Sequence, residues 1–192
     1  MNDNSPLNQQ STEILDFWFR ELTPRQWFRG GAELDELVTR RFAPLLAKAV
    51  QNECDNWAVT PHGRLALIIL LDQFSRHVFS DKAESFAQDS KAQQLCLDGI
   101  QSAMDAGLNS AERHFFYMPL MHSEDMKHQA LSVEKFTELR NEAESVLGFA
   151  KGHASMVERF GRFPHRNESL QRVSTPQEEV FLASNENIFG KK

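Results

Sequence analysis

The apolar residues of this chain recur at steps of three and four, which is the spacing of one face of an α-helix. The pattern is plainest from Leu34 to Ala49, where the apolar side chains form a single stripe. No stretch alternates apolar and polar residues with β-branched enrichment, so strands have little support. The sequence therefore predicts an all-α fold of about seven to nine antiparallel helical segments joined by short loops, with no sheet.

Capping residues, prolines and glycines predict where the helices begin and end. Thr60-Pro61 starts a helix, and the segment 64–74 is apolar nearly all round, which is typical of a central buried helix. Thr175-Pro176-Gln177-Glu178 is a capping box that opens a last short helix through Ala183. Gly161 is placed as the left-handed residue after a helix.

Four further features of the helix pattern are predicted from the same signals. They are a kink or break at Pro44, a long helix over 84–106 that ends at Gly107, two helices over 110–117 and 123–131 separated by Pro119, and a helix from Ser132 to Leu147 that Gly148 ends.

The chain has 192 residues, which corresponds to about one domain at roughly 150 residues each. We expect a disordered segment over 1–11, a single all-α domain over 12–184 and a polar tail over 185–192. Hydrophobic residues make up 41% and charged residues 25%. This ordinary globular composition excludes a disordered chain, collagen and a disulfide-stapled miniprotein.

The net charge of −6 argues against a nucleic-acid partner or an anionic membrane surface. The first ten residues lack the pattern of a signal peptide, and the longest apolar run, 65–71, is too short to span a bilayer. Cys54 and Cys96 stand alone, outside any metal-binding spacing, as buried thiols do in a reducing cytoplasm. We expect a soluble cytoplasmic protein, and its oligomeric state stays open.

Three polar clusters interrupt apolar surroundings, and the first ends the most hydrophobic segment. Asp72 and Gln73 follow the run 65–71, and Arg76 lies one helical turn after Asp72. A carboxylate in such surroundings needs a partner, and Arg76 is the nearest candidate. Either these residues form a structural ion pair, or the carboxylate faces a binding site.

The second cluster contains His122, Glu124 and Asp125, followed by His128 and Gln129. A helix would place His122, Asp125 and Gln129 on one face, and Glu124 and His128 on another. Histidine beside a carboxylate can run acid–base chemistry or bind a metal, but no H-E-x-x-H motif is present. Acidic residues after Ser123 also suit a helix N-terminus. We expect no metal and no cofactor.

The third cluster, over residues 159–167, is basic in an otherwise acidic chain. Pro164 forbids a regular helix in this segment, so its side chains are expected to project from a turn after a helix. The arginines either neutralise buried carboxylates or bind an anionic ligand through their forked guanidinium groups. His153, just before the cluster, is expected to be a hydrogen-bonded core residue. The candidate ligand-binding residues of this cluster are Arg159, Arg162, His165, Arg166 and Asn167.

Six motifs stand in order along the chain: Ile14 to Phe19, Trp27-Phe28, Leu65 to Arg76, Pro119 to Asp125, Arg159 to Asn167 and Thr175 to Glu179. Together they resemble a bacterial domain-of-unknown-function family, the one numbered nine hundred and twenty-four. The resemblance covers about residues 12–184 and implies an all-α fold of the tetratricopeptide-like helical superfamily, but no reaction and no catalytic residues. Ser75 and His77-Val78 depart from the family pattern, which has Pro and Asn-Ile there.

Three functions follow as hypotheses. The first is a polar pocket, built from all three clusters, that binds a small anionic or zwitterionic ligand or a peptide. The second is a hydrolase or transferase that acts on an anionic substrate, with His122 or His165 as general base. The third is an interaction scaffold, in which the charged clusters pair internally and only stabilise the fold.

Overall fold

In the computed structural model, residues 6–184 are described, with side chains from residue 9 onward. Helices and turns make up this range, and no strand occurs in it, which confirms the all-α prediction. The predicted tail over 185–192 and residues 1–5 lie outside the described residues. The α-helices are α1 (Pro6–Asp16), α2 (Pro24–Phe28), α3 (Ala32–Val50), α4 (Pro61–Ile68), α5 (Ser75–Val78), α6 (Asp89–Gln101), α7 (Ser110–Met121), α8 (Met126–Phe160) and α9 (Pro176–Ala183).

The chain divides into two compact units, residues 1–136 and 137–192, where the sequence predicted one domain over 12–184. The boundary falls inside α8. Helix α1 begins at Pro6, within the segment expected to be disordered. No helix of residues 6–184 combines the length and apolarity that a bilayer crossing requires.

The centre of the first unit is α4 with the π-helical turn Ile69–Phe74 that continues it. Residues 63–75 are buried without interruption, as the apolar run predicted. Helices α1, α6 and α7 pack on α4, and α3 packs on the π-helical turn. The ring of Phe74 lies 4.7 Å from that of Phe42 and 5.7 Å from that of Trp18, measured between centroids. This aromatic core holds the turn in place.

The break predicted at Pro119 is wrong, and of the kink or break predicted at Pro44, the break does not occur. Helix α3 continues through Pro44 and α7 continues through Pro119. In α3 the predicted apolar stripe is buried on both sides of the proline, including Phe42 and Leu46. Burial of one large apolar side chain stabilises a fold by about 1.5–3 kcal/mol. The several side chains buried along α3 therefore offset the roughly 3 kcal/mol that a proline costs inside a helix.

The predicted helix over 84–106 is also wrong, because only Asp89–Gln101 (α6) is α-helical there. Short 3-10 turns stand at Ala83–Phe86 and Met104–Gly107. Ala103 adopts a left-handed conformation with φ of 53°, which ends regular helix before the second turn.

Helix α8 runs without a break through Ser132 and Gly148, so both predicted boundaries are wrong. An isolated glycine in a helix interior costs only about 1 kcal/mol relative to alanine. That cost is too small to end a helix that good helix formers extend on both sides.

The second unit combines the end of α8, a turn, a 3-10 segment at Pro164–Arg166 and α9. Its apolar core is small: Met156 is buried, and the rings of Phe160 and Phe181 are 5.1 Å apart. Gly161 follows α8 with φ of 69°, as predicted. The predicted capping box is confirmed, because Glu178 N donates to Thr175 Oγ1 at 3.3 Å and the Glu178 carboxylate accepts from Thr175 N at 2.7 Å.

Candidate functional site

The first two polar clusters meet in the first unit, although about fifty residues separate them in sequence. His122 Nδ1 lies 2.8 Å from Asp72 Oδ1. Asp72 belongs to the π-helical turn after α4, and His122 is the capping residue directly after α7. The carboxylate is fully buried, whereas the imidazole keeps 23% of its surface exposed. Local widening of a helix into a π turn is frequent at functional sites.

The Asp72 carboxylate is satisfied by several donors, as a buried charge must be. Gln73 Nε2 donates to its Oδ2 at 2.5 Å. Arg76, predicted as its partner, lies 3.2 Å from Oδ1 and donates to the Asp72 backbone carbonyl at 2.6 Å. These contacts confirm the predicted Asp72–Arg76 pair and hold the carboxylate in one orientation.

A second carboxylate, Asp89, completes the network. Both terminal nitrogens of Arg76 bind its two oxygens at 3.0 Å, the forked geometry that carboxylates favour. Sequence reasoning missed Asp89 because it begins α6, thirteen residues after Arg76 across an irregular connection, and no motif marks it. We call Asp72, Gln73, Arg76, Asp89 and His122 the His122 site.

The His122 site fixes which ring nitrogen is available for chemistry. In the neutral imidazole, Nδ1–H donates to Asp72, and the lone pair is then on Nε2. A carboxylate that holds the ring in this way also stabilises the imidazolium that forms when Nε2 takes a proton. The arrangement therefore suits His122 as a general acid–base residue.

Next to the site, Ser123 and His128 form a second contact. Ser123 Oγ lies 2.9 Å from His128 Nδ1 and 3.3 Å from Gln93 Oε1. The helical faces predicted for 122–129 are wrong, because residues 122–125 form a loop and α8 starts at Met126. Gln129 fixes that loop by donating to the carbonyls of Met121 and Ser123.

The acidic residues of the loop lie at the surface. Glu124 and Asp125 are both exposed. Asp125 Oδ1 accepts from Lys127 N at 2.7 Å, and this hydrogen bond is the main cause that lowers the pKa of Asp125. Asp125 therefore has the geometry of a cap on the first turn of α8.

The third cluster lies in the second unit, and its central contact is an ion pair with Glu178. Arg162 Nε and one terminal nitrogen donate to the two Glu178 oxygens at 2.6 and 2.7 Å. This pair, with the Thr175 N–H, lowers the Glu178 pKa to about 2. Asn167 Nδ2 donates to Glu178 at 3.3 Å and to Ser174 Oγ at 3.0 Å. Arg162 and Asn167 thus stabilise the turn around a buried carboxylate.

The remaining members of the third cluster contact two different aromatic rings. Arg159 lies over the Phe160 ring at 4.8 Å and lines a cavity of about 470 Å³ with Pro176, Gln177 and Val180. His165 and Arg166 are exposed and lie beside the ring of Phe163.

His153 and the cysteines complete the candidate groups. His153 is half-buried and hydrogen bonded to the Phe149 carbonyl at 2.7 Å, so the predicted hydrogen bond is present in a less buried setting. Both cysteines are free and buried, as expected. Among residues 6–184, no three His, Cys, Asp or Glu side chains are grouped so that they could hold a metal ion.

Comparison with known proteins places this fold among bacterial proteins. The family model described as "Bacterial protein of unknown function (DUF924)" matches residues 14–186. The solved structure of a protein of unknown function, ATU0120 from Agrobacterium tumefaciens, is 34% identical to the chain, with a TM-score of 0.64. The match covers 92% of this chain and 98% of that one. No curated protein matches the chain.

Proposed function

The chain belongs to the DUF924 family of bacterial proteins of unknown function, and we propose that it is a hydrolase in which His122 is the general acid–base residue. One observation carries the proposal: a fully buried aspartate holds one nitrogen of a histidine ring that still reaches the surface. Of the residues first considered for one pocket built from all three clusters, this proposal uses only those of the His122 site.

The proposed step is proton transfer at Nε2. The lone pair on Nε2 takes a proton from a water molecule as that water attacks the substrate, and the imidazolium then gives the proton to the leaving group. Asp72 stabilises the imidazolium and keeps the ring in the productive tautomer. Arg76 positions Asp72 by binding it, and its positive charge reduces the repulsion between the carboxylates of Asp72 and Asp89.

The test uses hydrolysis of p-nitrophenyl acetate, p-nitrophenyl phosphate and leucine p-nitroanilide between pH 5 and 9. We expect turnover of at least one substrate. His122→Gln is expected to lower that rate by about 10²–10⁴-fold. His62→Gln is the matched control, because His62 is exposed and pairs weakly with Glu112 at 3.5 Å.

Asp72→Asn separates orientation from the proton transfer itself. An amide at this position favours the wrong tautomer of the ring, so the rate is expected to fall at least roughly tenfold in a folded variant. The proposal fails if none of the three substrates is hydrolysed, or if His122→Gln hydrolyses them as fast as the unaltered protein.

An interaction scaffold is the second candidate, favoured by the ion pairs that Arg76 and Arg162 form within the protein. Arg76 is bound to Asp72 and Asp89, and Arg162 is bound to Glu178. A scaffold predicts no hydrolysis, and lower melting temperatures for His122→Gln, Arg76→Gln and Arg162→Gln.

Two finer assignments belong to the same proposal. Membership in the tetratricopeptide-like superfamily is supported by the motif resemblance and by the all-α architecture. A cytoplasmic location is supported by two free buried thiols, which suit a reducing compartment.

A further inference from the structure

The middle of α8 is exposed on every side. Residues 140–151, all within the second unit, are exposed without interruption over about three helical turns. They include large apolar side chains, with Val146 69% and Leu147 51% exposed. An isolated helix of this length is marginal in water, and helices in proteins owe most of their stability to an apolar face packed on a partner. The middle of α8 therefore has the surface of a helix that packs on another one.

The apolar side chains of this region share one face of the helix. With about 100° between successive residues, they fall within an arc of about 100° around the helix axis. All are exposed except Leu139, which is half-buried. Several are alanine, which lets a second helix approach closely. We call this set the α8 face, and its members are Leu139, Ala143, Val146, Leu147, Ala150, Ala154 and Val157.

The charges along this part of α8 differ between its two halves. Residues 138–147 contain three glutamates and one arginine, a net charge of −2. Residues 148–157 contain Lys151 and no carboxylate, a net charge of +1 with the histidine neutral. In two parallel copies, halves of like charge would lie side by side, whereas in two antiparallel copies each acidic half lies beside a basic half. The charge pattern thus fits a second copy of the same helix that runs in the opposite direction.

We propose that two copies of the chain associate through the α8 face, as an antiparallel pair of helices related by a two-fold axis. This is the commonest symmetry of protein dimers, and it brings a surface against its own copy. The boundary between the two halves, at Leu147 and Gly148, lies at the axis. The dimer does not depend on the reaction proposed at His122.

The two-fold axis also sets which charged side chains meet. Glu144 and Lys151 are equally far from the boundary along the chain, and the helical spacing places both on the same border of the α8 face. Each Glu144 therefore lies beside the Lys151 of the second copy. Within one chain Glu144 pairs with Arg140 at 3.5 Å, and an exposed pair of this kind is weak enough to rearrange.

The first test measures the mass of the full chain by sedimentation equilibrium over a range of concentrations, and we expect a monomer–dimer equilibrium. Leu147→Gln removes an apolar side chain at the axis from both copies, so it is expected to raise the dissociation constant of the dimer about tenfold or more. Val173→Gln is the matched control, an exposed apolar residue of the same unit that lies outside α8, and it is expected to leave the dissociation constant unchanged. Far-ultraviolet circular dichroism verifies that both variants are folded.

Exchange of charges tests the antiparallel pairing. Lys151→Glu brings like charges together at two symmetric places, as does Glu144→Lys, so each single variant is expected to dimerise roughly tenfold more weakly. An equimolar mixture of the two single variants restores both contacts between opposite charges. We expect the mixed dimer, and the dimer of the double variant Glu144→Lys with Lys151→Glu, to be as tight as that of the unaltered protein.

Three results would overturn the proposal. The first is a full chain that stays monomeric at every concentration, and the second is a Leu147→Gln variant that dimerises as tightly as Val173→Gln. The third is a mixture of Lys151→Glu and Glu144→Lys that associates no better than either variant alone, which would exclude the antiparallel pairing.

Discussion

Among the side chains described, residues 9–184, each unit of this protein contains one fully buried carboxylate, and the two are held differently. Asp72 in the first unit and Glu178 in the second are both bound by an arginine. The other partners of Glu178 are an asparagine and a backbone N–H, so the contact closes on itself. Asp72 instead shares its arginine with Asp89 and holds a histidine that reaches the surface.

The difference teaches how to separate structural carboxylates from functional ones. Burial and an arginine partner are common to both residues and therefore decide nothing. What distinguishes Asp72 is that one of its partners is a titratable ring with an exposed edge. Such a ring can pass a proton to a bound molecule, whereas the partners of Glu178 can only hold a turn in place.

The largest effect is expected at Asp72. Its removal leaves Gln73 and His122 with unpaired donors in a buried setting and leaves Arg76 with one carboxylate. We expect Asp72→Ala to lower the free energy of unfolding by about 3–5 kcal/mol. Urea unfolding followed by far-ultraviolet circular dichroism measures this loss.

Asp55→Ala is the control for that experiment. Asp55 is an exposed residue of the same unit that pairs with Lys91, and such surface pairs contribute about 0–1 kcal/mol. If Asp72→Ala is no more damaging than Asp55→Ala, Asp72 does not organise the His122 site.

A smaller effect, dependent on pH, is expected at Glu178. Its pKa is lowered from 4.5 to about 2 in the folded state, chiefly by Arg162. The stability it contributes is therefore fully present above pH 4.5 and is lost as the pH falls toward 2. Melting temperatures of the unaltered protein and of Glu178→Gln should converge between pH 6 and 3. A difference that stays constant over this range would contradict the assignment.

The smallest effects are expected at two glycines of the second unit, with opposite signs. Gly161 has a positive φ, so Gly161→Ala is expected to destabilise by about 1 kcal/mol. Gly148 lies inside α8 with open space around it, so Gly148→Ala is expected to stabilise by about 0.5–1 kcal/mol. Thermal unfolding of both variants measures the pair, and equal signs would contradict the helix assignments here.

The sequence predicted those parts of the fold that local chemistry decides. The stripe from Leu34 to Ala49, the start at Thr60, the capping box at Thr175 and the left-handed Gly161 depend on neighbouring residues alone, and all four are confirmed. The break expected at Pro119 and the helix end expected at Gly148 are wrong, and Pro44 does not break α3, because burial and flanking helix formers outweigh the local preference.

The candidate site was predictable only in part, for the same reason. Asp72 and Arg76 are one helical turn apart, so their contact follows from sequence spacing. The contacts of Asp72 with His122, and of Arg76 with Asp89, join different helices, and their formation depends on how those helices pack. Periodicity within a helix carries no information about that packing.

The π-helical turn at Ile69–Phe74 has a consequence for how this site tolerates change. Each residue added to or removed from a helix rotates everything beyond it by about 100° around the axis. Deleting one residue from this turn, so that it became regular α-helix, would rotate Asp72 or Arg76 away from its partners. This would happen even if the deleted residue were none of those that form the site. The position of the carboxylate is thus encoded in the number of residues in the turn as much as in their identity, and a change in chain length there is more disruptive than a conservative substitution.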